Sequence, residues 1–313
     1  GLITSDDFLQ IENRLYTQRE NELLARRVFA PNTDYASYAG EIGYDFYTRE
    51  GSAKIYSRGT SAKDIPFVNE KGGRVTQTVY DIITGVRYTQ KELQALAAKR
   101  ALGKGPSVQI DTLRVDIARR YINESHNKLC FVGDSKIGIK GVLDDSFYGT
   151  KKGTKENVAE GATGASAAAR RLWANKTPKE IIADLNTGLA TVEKDGLFTG
   201  KVLIIPPTAM TRLRKPYSDQ SPMTTLSWIK SEGMYFQDII VGKEMQAPYN
   251  GDTVDYFMIL DNDPEVIQHV ITEDINLGTP KDDLVGTWEM AVMLSTAGVI
   301  FRHPAGAYIG KGI

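Results

Sequence analysis

Apolar positions in the first 45 residues recur at helical spacing, and Phe8, Ile11, Leu15 and Leu23 fall on one face of a stretch that predicts a helical arm. After Pro31-Asn32-Thr33 that period is lost. Tyr35, Tyr38, Tyr44, Phe46, Tyr47 and Tyr56 lie in an aromatic-rich, glycine-containing segment with little core of its own. Residues 46–88 read as a long hairpin. Its arms, 46–56 and 74–87, alternate loosely, and Gly59 through Gly73 supply turns and charges between them.

From Thr89 the pattern becomes helical. Thr89 is a predicted N-cap, Glu92 completes a capping box, and Leu93, Leu96 and Ala97 share a face. Gly103-Lys104-Gly105-Pro106 interrupts this helix. A second helix, from 107 to about 127, places Ile110, Leu113, Ile117 and Tyr121 on one stripe, with Arg114, Asp116, Arg119 and Arg120 largely off it. The apolar run 129–132 predicts a buried strand, followed by a loop with Gly133, Gly138 and Gly141. A polar Lys/Gly-rich link through residue 164 is expected to be mobile.

Thr177-Pro178-Lys179-Glu180 combines an N-cap, a proline at the first helical position and a capping glutamate. Ile181, Ile182, Leu185, Leu189 and Val192 then form the apolar face of a helix. The last third alternates: a strand at 202–205, a short helix at 209–214, a helix opened by Ser221-Pro222 with Leu226, Trp228 and Ile229, and strands near 239–241 and 254–260. Runs 287–294 and 299–301, joined by Ser295-Thr296-Ala297-Gly298, read as an antiparallel pair. The class is α+β. No repeat of fixed period is visible.

Composition narrows the reading. The 313 residues are 41% hydrophobic and 25% charged with net charge −1, which excludes disordered, collagenous and all-membrane chains. The length suits two domains or one large composite. Every apolar run is far short of the ~20 residues that span a bilayer, and the N-terminus lacks a secretory layout, so synthesis in the cytoplasm is expected. Cys130 is the single cysteine, so no intrachain disulfide forms, and a buried thiol in a reducing compartment is expected.

Charge is uneven along the chain. Residues 51–110 carry ten Lys/Arg against four Asp/Glu, and residues 244–300 carry one Lys against eleven Asp/Glu. A basic and an acidic face on one chain attract copies of that chain; solvated charge on two unrelated faces fits the same counts.

Chemistry is hard to find. His126, His269 and His303 are far apart, in no metal-ligand spacing, so no metal residue is assigned. Cys130 in a buried strand would be inert, and His126 beside it is expected at a helix end, satisfying carbonyls. Gly133-Asp134-Ser135-Lys136-Ile137-Gly138-Ile139-Lys140 departs from a phosphate loop, because Ile139 separates Gly138 from Lys140 and Gly141 follows the lysine. Asp144-Asp145, Glu273-Asp274 and Asp282-Asp283 read as solvated turns. Tyr56, Phe67, Tyr80 and Tyr88 interleave with basic residues as in single-strand binders, but no nucleic-acid signature accompanies them. No catalytic or cofactor-binding residue is assigned, and no enzyme is expected.

The order of arm, hairpin, long helix, mixed segment and terminal strands resembles the major capsid protein of tailed bacteriophages, the Hong Kong-97 type fold, over most of residues 46–313. Three motifs carry the resemblance. Glu124-Ser125-His126-Asn127 leads through 129–131 to Gly133-Asp134 and then Gly138-Ile139-Lys140-Gly141-Val142-Leu143, similar to the family's end of the spine helix and its glycine turn. Lys201-Val202-Leu203-Ile204-Ile205-Pro206-Pro207 with Met210, Leu213 and Thr224-Thr225-Leu226 is similar to the strand and helix of the axial domain. Thr296 through Ala307, with Gly312-Ile313, looks like the family's closing strands. Val142 and Asp144 stand where the family more often has Leu and Asn, and the 150–165 link is longer and more basic than the pattern.

The resemblance implies an N-terminal arm (1–45), an extended hairpin or E-loop (46–88), a peripheral domain with the spine helix (89–175), an axial domain (176–270) and a return to the peripheral domain (271–313). It implies a coat subunit forming pentamers and hexamers of an icosahedral head around double-stranded DNA. Partners would be copies of itself, scaffolding, portal and decoration proteins, and DNA held without sequence preference; no membrane and no cofactor is implied. The location would be the virion, with assembly in the host cytoplasm. An encapsulin-type nanocompartment shell around cargo protein shares the fold and is the alternative. Inter-subunit candidates are Lys54, Arg58, Lys63, Lys71 and Arg74 on the hairpin, facing Asp261, Asp263, Glu265, Glu273 and Asp274 of a neighbour. The family's lysine–asparagine cross-link has no acceptor or catalytic glutamate identified here. Gly1 at the start fits removal of an initiator Met, a tag scar or a maturation cleavage.

Overall fold

A computed structural model describes residues 20–55, 65–101, 110–149, 152–218, 221–231, 236–283 and 286–313. The predicted helix over Phe8, Ile11 and Leu15 lies outside them. The described chain opens with a one-turn helix α1 (Ala25–Val28) and strand β1 (Ala30–Asn32). One turn cannot stand alone, and it is fixed by burial of Leu24, Ala25, Val28 and Phe29. Strands β2 (Glu41–Glu50) and β3 (Asn69–Thr78) form the hairpin, paired from Glu41↔Thr78 to Glu50↔Asn69.

The expected hairpin arms at 46–56 and 74–87 are corrected. The chain leaves the hairpin at Val79 and enters β4 (Tyr80–Thr89), which pairs with a distant strand and buries Val86 beside the long helix. The second arm was two strands with different needs: 69–78 is polar and exposed, whereas 80–89 carries apolar residues that require a core.

Helix α2 (Gln90–Ala101) follows, with the predicted box formed: Thr89 N donates to Glu92 Oε2 (3.1 Å) and Glu92 N donates to Thr89 Oγ1 (3.3 Å). Helix α3 (Ile110–Phe131) runs 22 residues, about 33 Å. It absorbs the Leu129-Cys130-Phe131 run expected to be a strand. A short apolar run fits a buried helical turn as well as a strand, and here the turn is enclosed by α1 and the second sheet. The helix stops at Gly133, whose φ of +78° suits glycine. There β5 (Gly133–Asp134) and β6 (Ile139–Lys140) turn back so closely that a Cβ on Gly141 would lie 2.4 Å from Gly133 N.

The link expected to be mobile contains β7 (Thr154–Asn157), which pairs in parallel with the last strand, while Lys155 Nζ donates to Leu143 O (2.8 Å) and reaches Asp145. Backbone pairing and a tethered lysine override the polar composition. After α4 (Ala167–Arg171), α5 (Pro178–Glu193) begins at the predicted capping box, Thr177 Oγ1 with Glu180 N and Glu180 Oε2 with Thr177 N (2.7 Å).

Next come β8 (Val202–Ile205), α6 (Pro207–Leu213), β9 (Pro216–Ser218), β10 (Ser221–Thr224) and α7 (Thr225–Ser231). Ser221-Pro222 thus opens a strand, not a helix. Thr224 is the residue whose Oγ1 accepts from Ser227 N (3.1 Å), so the helix starts after it. The chain ends with β11 (Asp238–Val241), β12 (Tyr256–Leu260), β13 (Ile267–Leu277), β14 (Lys281–Asp283), β15 (Thr287–Phe301) and β16 (Ala307–Lys311).

The expected pair 287–294 and 299–301 is one 15-residue strand. Ser295–Gly298 bends it without reversing it: the register to β13 shifts there, Gly298 takes φ +78°, and Thr296 Oγ1 donates to Val270 O (2.6 Å) while accepting from Gly298 N (3.0 Å).

Two five-stranded sheets result. The first runs β1-β13-β15, with β13 and β14 following one another along one edge of β15 and β4 paired along its other edge. The second runs β11-β8-β12-β16-β7. Of the segment 271–313, β13, β14 and β15 lie in the first sheet, whereas β16 sits between β12 and β7 in the second. Its Ala-Tyr-Ile-Gly stretch is buried on both faces, which only a central strand achieves. Leu203, Ile205, Phe257, Ile259 and Tyr308 face α5; Val202, Ile204, Met258, Leu260 and Ile309 face α1 and the end of α3.

Candidate assembly surface

The hairpin β2–β3 is shaped by cross-strand detail. Asp45 lies opposite Arg74, which donates to both carboxylate oxygens (2.6 and 2.9 Å) and holds Asp45 below the ordinary carboxylate range. The Phe46 ring lies across Gly73, where a Cβ would come within 2.6 Å of the ring. At its base the hairpin is anchored. Ile42 is buried with Val270, Ala297 and Ile300, Gln77 Nε2 donates to Ala297 O (2.5 Å), and the Arg302 guanidinium lies 5.5 Å from the Tyr44 ring centre.

Beyond the base, burial ends. Phe46 is 48% exposed, Tyr47 68%, Phe67 81%, Val68 74% and Ile55 fully exposed. Exposed large apolar side chains gathered on one protrusion are what a partner surface covers.

The charged candidates fare unevenly. Lys54 and Lys71 lie exposed toward the hairpin tip, while Arg74 is engaged with Asp45. Arg58 and Lys63 fall outside the described residues. Among the acidic set, Asp261 is buried and bound to Lys201 Nζ (2.8 Å) and Thr199 N (3.1 Å), so its place on a docking face is corrected: it is a core contact of the second sheet. Asp263 is 3.7 Å from the same lysine and accepts from Glu265 N, leaving Glu265 exposed on the turn before β13. Asp274 pairs with Arg26 (2.8 Å), and Glu273 accepts from Asn276 Nδ2 (2.9 Å). Seven residues of mostly extended chain, a span of about 25 Å, separate Glu265 from Glu273. The acidic residues therefore form two sites, not one face.

Sequence reasoning read Phe67 only as one of several aromatics among basic residues and passed over Ile55 and Val68, although apolar residues inside a charged, glycine-rich turn were the signal. It also passed over Arg26 and Arg27, which tie the N-terminal segment to Asp274 and Asp238. No group of three His, Cys, Asp or Glu is arranged for a metal among the described residues, and no described helix is long and apolar enough to cross a membrane.

The described residues thus form an extended hairpin rooted beside a long helix and a sheet, with a second sheet carrying the main core. The model of the major capsid protein family matches residues 51–313. The chain belongs to that family. Among solved structures, the capsid of Myoviridae phage XM1 superposes with a TM-score of 0.78 at 12% identity, over 100% of this chain and 99% of that one. The capsid of an empty GTA particle gives 0.66 at 10% identity over 97% and 94%. The virus-like particle from Pyrococcus furiosus gives 0.54 at 15% identity over 93% and 92%. Comparison with curated protein sequences returns no match. The fold is the Hong Kong-97 type expected from the sequence, and the chain is a major capsid protein.

Proposed function

We propose that the capsid chain assembles as pentamers and hexamers of an icosahedral head that encloses double-stranded DNA, each subunit laying its hairpin on a neighbour. The observation that carries this reading is the hairpin itself, anchored at its base and carrying exposed apolar side chains at Phe46, Tyr47, Ile55, Phe67 and Val68. Ordering such a segment costs conformational entropy that its own chain does not offset, and burial against a second copy does. Lys54 and Lys71 then serve as steering charges, with Asp263 and Glu265 as the acidic site within a neighbour's reach. Scaffolding, portal and decoration proteins would be further partners, and assembly would take place in the host cytoplasm.

Membership in the major capsid protein family favours the DNA-filled head over a nanocompartment. Negative-stain electron microscopy of particles from the native source, with nuclease-protected nucleic acid measured in the same fractions, tests this. Closed shells that protect DNA are expected. Shells filled with protein and free of DNA would return the nanocompartment reading.

A further inference from the structure

Residues 20–32 cross the molecule as a strap. Arg27 Nη2 pairs with Asp238 Oδ2 of the second sheet (2.9 Å), Arg26 Nη2 with Asp274 Oδ1 of the first (2.8 Å), and β1 lies parallel to β13. Ala25 N donates to Asn127 Oδ1 of α3 (2.8 Å), and Asn127 Nδ2 donates in turn to Glu244 Oε1 (2.7 Å). Under this strap sit two buried histidines from different elements. His126 of α3 and His269 of β13 are each 1% exposed and meet edge to face, ring centres 5.5 Å apart. His269 Nδ1 bonds the strap carbonyl Phe29 O (2.9 Å), and His126 Nε2 is 3.6 Å from Cys130 Sγ.

We propose that this pair is an acid-released latch: protonating the facing imidazoles expels the strap and uncouples α3 and the two sheets that it holds together. In the seated form His269 Nδ1–H donates to Phe29 O, so a second proton goes to Nε2 inside the packed site. The charged groups around the pair are Arg26 from the strap and Asp274 from β13; Cys130 of α3 lies against His126, and Glu244 is bound by Asn127, the residue after His126 on α3. Asp274 is already paired with Arg26. Two imidazoliums beside that arginine would place three positive charges against one carboxylate, with both rings buried and the exposed Arg26–Asp274 pair at the rim of a 460 Å³ cavity that Thr33 and His269 also line.

Burial holds both imidazoles below their ordinary value of 6.5, His126 down to about 3. Because the seated form binds protons less readily than the released form, seating weakens as pH falls from about 6.5 toward 3 and is complete above it.

Cys130, the single thiol of the chain, is fully buried in the cluster that the strap residues Leu24, Ala25, Val28 and Phe29 complete, so its accessibility reports release. The test is the rate of Cys130 labelling by 2,2′-dithiodipyridine, a reagent active in acid, on the full chain between pH 7 and pH 4.5, with circular dichroism recorded alongside. A rise of at least tenfold on acidification is expected while circular dichroism is unchanged. The double variant His126→Gln, His269→Asn should abolish the rise. If that variant does not fold, Arg26→Gln, which removes the third positive charge, should move the half-point to lower pH. Labelling independent of pH, the same acid rise in the double variant, or a rise that coincides with loss of circular dichroism would overturn the proposal.

Discussion

The second sheet, with strands of four or five residues, and the hairpin, with strands of ten, are both paired in register, yet they solve the problem of burial in opposite ways. In β8 and β12 every residue is buried, whereas most of β2 and β3 is exposed. The sheet gains stability from side chains packed on both faces by its own chain, each worth about 1.5–3 kcal/mol. Above its anchored base the described hairpin is held by backbone pairing, the Asp45–Arg74 contact, the Phe46 ring across Gly73 and the Thr48 Oγ1 bond to Lys71 O. Strand geometry therefore does not decide what a strand can do alone. What covers it does.

Substitutions separate the two regimes, the largest effect first. Phe257→Ala removes a ring packed against Trp173 and Tyr308 (ring centres 5.4 and 5.8 Å), and about 3–5 kcal/mol of lone-chain stability should go with it, measured by urea denaturation. Lys176→Met strips the buried Asp184 carboxylate of its 2.5 Å partner and leaves only Trp173 Nε1 (2.9 Å). Burial already pushes the Asp184 carboxyl up, so the variant should lose several kcal/mol, roughly 3–5, at neutral pH. The loss should shrink on acidification as Asp184 takes up a proton, and an unchanged loss at pH 4 would contradict the assignment.

Thr177→Ala, which removes one half of the capping box of α5, should cost about 1 kcal/mol in the same denaturation assay. The smallest effect on the lone chain belongs to the hairpin: Phe46→Ser with Tyr47→Ser should leave its melting temperature unchanged. The same pair should abolish assembly, read by sedimentation velocity. A drop in lone-chain stability with assembly intact would reverse the comparison.

The parts legible in the sequence were those fixed locally. Thr89 with Glu92 and Thr177 with Glu180 are three residues apart, so the two capping boxes could be read directly. So could the apolar face of α5 and the strand at 202–205. What depended on distant partners could not. The run at 129–131 is helix because α1 and the second sheet close around it, and β15 continues through Ser295–Gly298 because β4 and β13 flank it on both sides.

The same holds at the assembly surface. Asp261 looked like one more solvated acid because Lys201, sixty residues away in sequence, gave no sign of being its partner. Arg74 looked available because Asp45 is across a strand, not beside it. The basic hairpin was visible from charge counts, while its apolar tip was spread over short stretches that no helical or strand period linked.

Hydrogen exchange on the lone capsid chain and on assembled particles tests the central claim most directly. Amides of β8, β12 and β16 should be equally protected in both, whereas those of β2 and β3 should exchange quickly in the lone chain and slowly in the particle. Equal protection of the hairpin in the two forms would mean that the chain orders it unaided, and would contradict the account.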